Sequence, residues 1–439
     1  MKLRPEQDQL INASPITVSP ARRLRVGVLV DLPHNARPGG HVRSWERLAQ
    51  AALELPDRLD LTVHFSGAAR EVRALGDNVR FVFEPPVFST NRLPFLSHVP
   101  DHTDLAPWHW RLGRRLAGYD VIHTTDAYFA YARTAHRVAR KHGIPLVTSV
   151  HTNTPEYARV FTAQTIERLA GGNGFSRLLI DRLGLPRRVE AKMVRRLHAH
   201  QRACAAVLVS RPAELDAAMA RTGGRAALLE RGIDRKVFSP ARRDRAWLEA
   251  AYGIPAGRVV ILFVGRVNRG KNLIRLVEAM RGLLAAGLPV HLLCAGEGDD
   301  RAAIAAALGG NATCPGYVDP DRLARLYASA DWFAFPSKIE ECANVVFEAL
   351  SSGLPVSVAA ESGMSRFVAE GETGYALPGD RTESWVANLA MVACDCERRR
   401  AMSRAARVYA ERQVPSWTDI LAGTLLPVWR RVAAEAEGR

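Results

Sequence analysis

Short apolar runs recur along the chain, each closed by a turn signal and followed by residues with helical spacing. Arg25 to Val30 is a continuous apolar run and predicts a buried strand; Val42 to Leu55 predicts an amphipathic helix after it. Further strands are expected at Leu61 to Phe65, Val79 to Phe83, Val121 to Thr124, Pro145 to Val150 and Ala205 to Ser210, with a helix over Phe129 to Lys141. A second block of the same kind starts at Val259 to Val264. Its later strands fall near 290–294, 312–314, 332–335 and 355–358, and Asn344 to Ser351 has the spacing of a helix stopped by Gly353. Strand and helix alternating twice over predicts an α/β chain of two Rossmann-like, doubly wound parallel-sheet domains facing a central cleft.

Two stretches break the pattern. Pro85 to Pro107 is proline-rich and aromatic with no clean period, and a long loop there is a functional candidate. Phe175 to Ala203 carries eight Lys or Arg among Leu178, Leu179, Leu183, Leu185, Val189, Met193 and Leu197. It reads as a basic amphipathic helix pair interrupted at Gly184-Leu-Pro186. That suits either a solvated helix face or an interfacial membrane contact.

Composition narrows the class. With 439 residues the chain is long enough for two full cores, and 47% hydrophobic with 24% charged residues describes a globular protein. No apolar run approaches the length of a membrane-spanning helix. Residues 1–23 are polar without an apolar signal core, and a loose tail is expected there. The six cysteines form no zinc spacing with histidines and read as reduced thiols of a cytoplasmic protein. The net charge of +15 favours an anionic partner, but no nucleic-acid motif accompanies it, so no nucleic acid is expected.

Candidate chemistry clusters where strands meet helices. Gly39-Gly40 precedes the first helix and suits a close approach by phosphate or sugar. His151 follows a strand's carboxyl end, where side chains point into the crevice of an open sheet. Gly265-Arg266-Val-Asn-Arg269-Gly270-Lys271 puts Arg266 and Lys271 at another strand end, as cations for a diphosphate. Glu340 and Glu348 stand eight apart across the start of the helix at Asn344, and carboxylates accept hydrogen bonds from sugar and ribose hydroxyls. Gly296-Glu-Gly298 is a glycine turn without a dinucleotide fingerprint. Asp319-Pro-Asp321 has the look of a metal-binding string, but it precedes a helix where Asp is an ordinary cap, so no metal is expected.

Pro336 to Pro355 resembles the glutamate–seven–glutamate motif of retaining family 4 glycosyltransferases, with Glu340 and Glu348 at its two acids. Cys342-Ala343 replaces that family's usual Phe-Gly and weakens the expectation of a backbone contact to phosphate there. Gly39-Gly40, His151, Arg231-Gly-Ile-Asp234 and the pair Arg266/Lys271 resemble further family elements in the same order, over roughly residues 25 to 430.

The resemblance implies the two-domain GT-B architecture. The domains would be an acceptor domain over 24–235, a nucleotide-sugar domain over 236–414, and a C-terminal helix over 415–439 returning to the first. It implies transfer of a hexose-type sugar from a UDP- or GDP-sugar to an acceptor hydroxyl, with retention and without cofactor or metal. Gly39, Gly40, Arg266, Lys271, Glu340, Asn344, Val345 and Glu348 would bind the donor. His151, Arg266, Lys271 and Glu340 would carry the chemistry. The RGID form of the linker resembles that of lipid-glycosylating members. A lipid or glycan acceptor and peripheral docking on the inner face of the cell membrane are therefore expected. The rivals are a non-catalytic nucleotide-sugar or polyanion-binding module, and a phosphorylase-like enzyme needing pyridoxal phosphate. Sugar, base, acceptor and oligomeric state are not legible.

Overall fold

The computed structural model describes residues 22–34, 40–93, 103–151, 154–171, 173–338 and 344–438. The chain forms two compact units. One comprises residues 1–147, 160–186 and 429–439, and the other 148–159 and 187–428.

Two sheets carry the fold. The first has eight strands: β1 (Leu24–Pro33), β2 (Leu59–Ser66), β3 (Glu71–Gly76), β4 (Val79–Glu84), β5 (Val121–Thr124), β6 (Leu146–Val150), β7 (Ala206–Val209) and β8 (Ala226–Leu228). Their order is β3-β4-β2-β1-β5-β6-β7-β8. β1 is central, in parallel register with β2 (Val28 beside Val63) and β5 (Val28 beside His123). Val26, Val28, Leu29 and Val30 are fully buried, as the unbroken apolar run predicts for a strand covered on both faces. The second sheet has six strands: β9 (Val259–Val264), β10 (Val290–Ala295), β11 (Ala312–Gly316), β12 (Trp332–Phe335), β13 (Val356–Ala359) and β14 (Gly374–Leu377). Its order is β11-β10-β9-β12-β13-β14, parallel throughout.

Both sheets are doubly wound, and both reverse strand order once. The chain builds outward from β1 to one side, then returns to its other side at β5; it does the same from β9 to β12. Crevices open at the carboxyl ends of the strands flanking such a reversal.

The structure adds elements that periodicity does not reveal. β3 pairs antiparallel with β4 at the sheet edge, and its Glu71 and Arg73 are solvent-exposed, so it lacks an apolar signature. β8 and β14 are only three and four residues long. Thr154–Ala170 is a helix with only Pro155 buried, and so without an apolar stripe. The basic stretch contains Gly174–Arg177, a wide turn at Leu178–Arg182, and the helix Leu185–Ala203.

Buried polar groups are paired where they hold the cores together. Trp429 Nε1 donates to His123 Nδ1 at 3.0 Å. Burial holds His123 neutral, with its pKa lowered to about 3, and leaves Nδ1 free to accept. In the second core Trp332 Nε1 donates to Ser357 Oγ at 2.8 Å, and Ser357 in turn donates to Asn388 Oδ1 at 2.6 Å. The segment Arg231-Gly-Ile-Asp234 is clasped rather than loose. Ile233 donates its amide to Pro415 O at 3.0 Å, and a Cβ on Gly232 would stand 2.7 Å from the Trp417 nitrogen.

Ser357→Ala removes the hydroxyl that joins Trp332 to Asn388 and leaves a buried N–H without an acceptor. The expected cost is about 1–3 kcal/mol, read as a lower urea midpoint at unchanged slope. An unchanged midpoint would show that the relay contributes nothing.

Candidate functional site

The switch between β9 and β12 places the second unit's candidate residues. β9 ends at Val264 and the chain turns through Gly265 into Arg266. Gly265 donates its amide to Ala295 O at 3.0 Å, and Val267 donates to Glu297 O at 2.8 Å. The loop after β9 is thus sewn to the loop after β10. The fit is close: a Cβ on Gly296 would lie 1.9 Å from Gly265 O, and one on Gly298 2.1 Å from Val267 O. Both glycines also have positive φ (147° and 155°), so side chains are excluded twice over. Gly296-Glu-Gly298, read from sequence as a mere turn, is the template for the Arg266 loop.

Asn272 fixes the other end of that loop. It is the one non-glycine residue with positive φ among the described residues (57°). Its side-chain amide donates to Pro336 O at 3.1 Å and to Gly379 O at 2.7 Å, tying the loop to the segments after β12 and β14. Lys271 is carried across the switch, its Nζ 6.0 Å from the centroid of the Phe335 ring at the end of β12. Beyond β12, Lys338 lies beside Gly379, whose amide donates to Glu361 Oε2 at 3.0 Å. Asn272 and Glu361 were not picked out from the sequence.

The site's electrostatics are set by burial. Removal from water, and then the neighbouring Arg266 charge, lower the Lys271 ammonium to about 8. Two cations are held together at a price that a bound anion would offset. Around them Asn268 Oδ1, Ser337 Oγ and Asn344 Oδ1 are buried and without a hydrogen-bond partner among the described residues. Unpaired buried acceptors suit a ligand rich in hydroxyls, which would donate to them.

The helix Asn344–Ser351 follows β12 and presents its amino end to the same crevice. Asn344 and Val345 form its first turn, both half-buried, and Glu348 lies one turn on. The Glu348 carboxylate stands by the buried Tyr327 phenol, which burial and then that charge raise well above its usual range. Glu340 and Gly39 lie outside the described residues, as do Cys342 and Ala343.

Gly40 and His151 belong with the eight-stranded sheet. Gly40 opens the helix Gly40–Ala52 and accepts from Ser44 Oγ at 2.8 Å. His151 follows β6, with Nε2 hydrogen-bonded to the buried Ser149 Oγ at 2.7 Å. The switch of this sheet, between β1 and β5, carries a buried carboxyl pair that sequence reasoning missed. Asp31 ends the buried run of β1 and accepts the Tyr131 amide at 3.2 Å; Asp126 follows β5 and accepts the Tyr128 and Phe129 amides at 2.7 and 3.0 Å. Burial, then the charge of Asp126, raise Asp31 well above the usual carboxylate range. No residue spacing marks this pair.

The two acids of the metal-like string are engaged by the fold. Asp319 accepts the Arg322 amide at 3.0 Å as a helix cap, and Asp321 pairs with Arg242. Among the described residues, no helix is long and apolar enough to cross a membrane.

Comparison with known proteins places this geometry. Residues 244–409 match the family model described as Glycosyl transferases group 1, and the switch between β9 and β12 lies within the matched residues. The sulfoquinovosyl transferase SQD2 of Arabidopsis thaliana is 28% identical over 79% of this chain and 66% of its own length. A GDP-mannose-dependent alpha-mannosyltransferase of Mycobacterium tuberculosis is 29% identical over 61% of this chain and 63% of its own. A D-inositol 3-phosphate glycosyltransferase of Segniliparus rotundus is 32% identical over 44% of each. The matches thus span under two thirds of these relatives' lengths. Among solved structures, a sucrose-phosphate synthase of Thermosynechococcus elongatus superposes with TM-score 0.65 at 19% identity, over 94% of this chain and 100% of that one. Anabaena HepE in complex with UDP-glucose gives 0.60 at 16% identity, over 95% and 100%. The two-sheet α/β fold is therefore that of GT-B glycosyltransferases.

Lys271→Met tests the strain at the site. A lysine lowered to about 8 in the fold, against about 10.4 unfolded, penalises the folded state fully below pH 8. The penalty fades as pH rises from 8 towards 10.4. Without ligand, the Met variant should melt above wild type at pH 7, and the gap should close at alkaline pH. A variant that melts lower at pH 7 would show that the buried charge carries no such cost.

Proposed function

We propose that this chain, whose residues 244–409 form a group 1 glycosyltransferase domain, is a retaining glycosyltransferase. It takes a hexose-type sugar from a UDP- or GDP-sugar to an acceptor hydroxyl, and a lipid or lipid-linked glycan is the acceptor. The observation that carries this is the strapped loop holding Arg266 and the half-buried Lys271 at the β9/β12 switch, with Lys271 lowered to about 8. Such a pair is poised for a diphosphate.

The chemistry follows from charge. As the sugar leaves, negative charge gathers on the nucleotide diphosphate, and Arg266 and Lys271 stabilise it. Because their positions are set before substrate arrives, little reorganisation is needed at the moment of reaction. Amides of Asn344 and Val345 at the helix start, with Gly39 and Gly40, line the donor's phosphates and sugar. Glu348 holds the ribose, Glu340 the sugar hydroxyls, and His151 the sugar near its reacting carbon. The acceptor proton passes to the departing phosphate oxygen, so neither a separate base nor a metal ion is required.

The membrane side rests on a surface observation. Leu169 is 70% exposed and Phe175 60%, and Leu178 and Leu183 are exposed as well. Arg168, Arg177 and Arg182 are interleaved with them in sequence, and the basic helix Leu185–Ala203 follows. Apolar side chains among arginines suit the interface of an anionic bilayer. The chain then acts as a cytoplasmic enzyme docked on the inner face of the cell membrane.

Lys271→Ala should lower sugar transfer about 100-fold or more, the scale of losing one charge-stabilising donor, measured as nucleoside diphosphate released. Near-normal transfer by this variant would remove Lys271 from the mechanism. Absence of release by wild type with every UDP- and GDP-sugar would leave a non-catalytic binding module.

Docking is read by flotation with anionic liposomes. Wild type should float at low salt and sink at high salt, because the attraction fades within a Debye length. Reversing Arg187, Arg188, Arg195 and Arg196 to Glu should abolish flotation and leave nucleotide affinity intact. Flotation untouched by the four reversals would sink the docking surface.

A further inference from the structure

At the amino ends of β12 and β13, on the side of the second sheet away from the donor crevice, lies a half-open surface pocket of about 460 Å³. Arg243, Arg399, Arg400 and Arg404 line it, with Asp331 as its one acid. Asp331 is already engaged: Arg245 donates to it at 2.7 Å and the Val260 amide at 2.8 Å. Arg399 spends a nitrogen on Ala393 O at 3.2 Å. Arg243 stands 3.8 Å from Asp331 at the edge of its reach.

Arg400 and Arg404 lie four apart on the helix Cys396–Gln413, so their side chains share one face. Neither makes an ion pair or hydrogen bond among the described residues. Like charges at this spacing oppose helix formation. Other helical arginines do have such a partner: Arg245 pairs with Glu249, Arg301 with Glu297 and Arg407 with Glu411, each an i,i+4 pair. At the cavity two arginines share a helix face with no carboxylate paired to either among the described residues. Arg400 and Arg404 therefore have no counter-ion among the described residues.

We propose that this cavity binds a phosphate-bearing small molecule, held by Arg400 and Arg404 with Arg243 at the rim. Guanidinium groups take phosphate oxygens in pairs of parallel bonds, and several can share one diphosphate or phosphate monoester. The volume is in the range of small-ligand sites and leaves room for a sugar or nucleoside beside the phosphate. The Ser403 hydroxyl, which lines the same cavity and donates to Gly353 O at 2.6 Å, offers its oxygen as an acceptor for a ligand hydroxyl. The site is separate from the donor crevice, which opens at the other ends of the same strands.

Calorimetry with pyrophosphate tests the site in full-length protein carrying Arg266→Ala and Lys271→Ala, which disable the donor loop. One pyrophosphate should still bind. Adding Arg400→Gln and Arg404→Gln should weaken it at least tenfold. The same two Gln substitutions in otherwise wild-type protein should leave UDP affinity unchanged and not lower the melting temperature, which separates loss of the site from misfolding and from failure of the donor assignment. Arg140→Gln with Lys141→Gln, on an exposed helix end elsewhere, removes equal charge and should have no effect. The proposal is overturned if the donor-disabled protein binds no pyrophosphate, or if the control pair weakens binding as much as the cavity pair. Equal competition by chloride and acetate would also overturn it, as would loss of anionic-vesicle binding alone on substitution at Arg400 and Arg404.

Discussion

The reversal of strand order between β9 and β12 is the constraint on which the second unit's chemistry depends. Two parallel strands that are neighbours in space but separated in sequence send their following segments to opposite sides. No connection covers the gap between their ends. Into that gap the chain delivers a cationic loop from β9 and, from β12, a segment that leads to a helix amino end. Neither would reach the other if strand order ran without a reversal. The hydrogen bonds from Asn272 to Pro336 O and Gly379 O then convert an open gap into a braced one.

Bracing has a physical cost that the site retains. Lys271 is partly withdrawn from water beside another cation, and Asn272 adopts a backbone conformation that side chains resist. Asn268, Ser337 and Asn344 each keep a buried oxygen without a donor among the described residues. A core selected only for stability would have removed these features. Their concentration at one strand switch is better explained by a ligand that supplies anionic oxygens to the cations and hydroxyls to the acceptors. A nucleotide sugar does both with one molecule.

The architecture was legible because parallel strands buried on both faces read as unbroken apolar runs. β1, β9 and β12 announce themselves in this way, and the turn residues after them announce the loops. What stayed hidden has three physical origins. β3 is an edge strand whose side chains face water, so its composition is that of a loop. The role of Gly296 and Gly298 depends on the backbone of Gly265 and Val267, some thirty residues earlier, and no local pattern reports a contact of that kind. Asp31 and Asp126 are distant in sequence and meet only because β1 and β5 are neighbours at the first sheet's own switch. Short-range motifs such as Arg266 to Lys271 are visible because one loop carries them. Glu340, the other half of the acidic motif, falls outside the described residues, so its spacing from Glu348 is known only along the chain.

The distribution of charge carries more information than its sum. A net +15 is compatible with a solvated basic surface, and much of the surface is that: arginines answered by glutamates one helical turn away. Positive charge that is answered contributes solubility and little else. Three places differ. At Arg266 and Lys271 like charges are brought together by a braced loop. At Arg400 and Arg404 they are brought together by helix geometry over a cavity. From Arg168 to Leu183 they are interleaved in sequence with apolar side chains that face water. In each, like charges or exposed apolar side chains are brought close together. The three places differ in shape as the proposed partners do: a crevice for a diphosphate, a half-open pocket for a small anion, and an exposed face for a membrane surface.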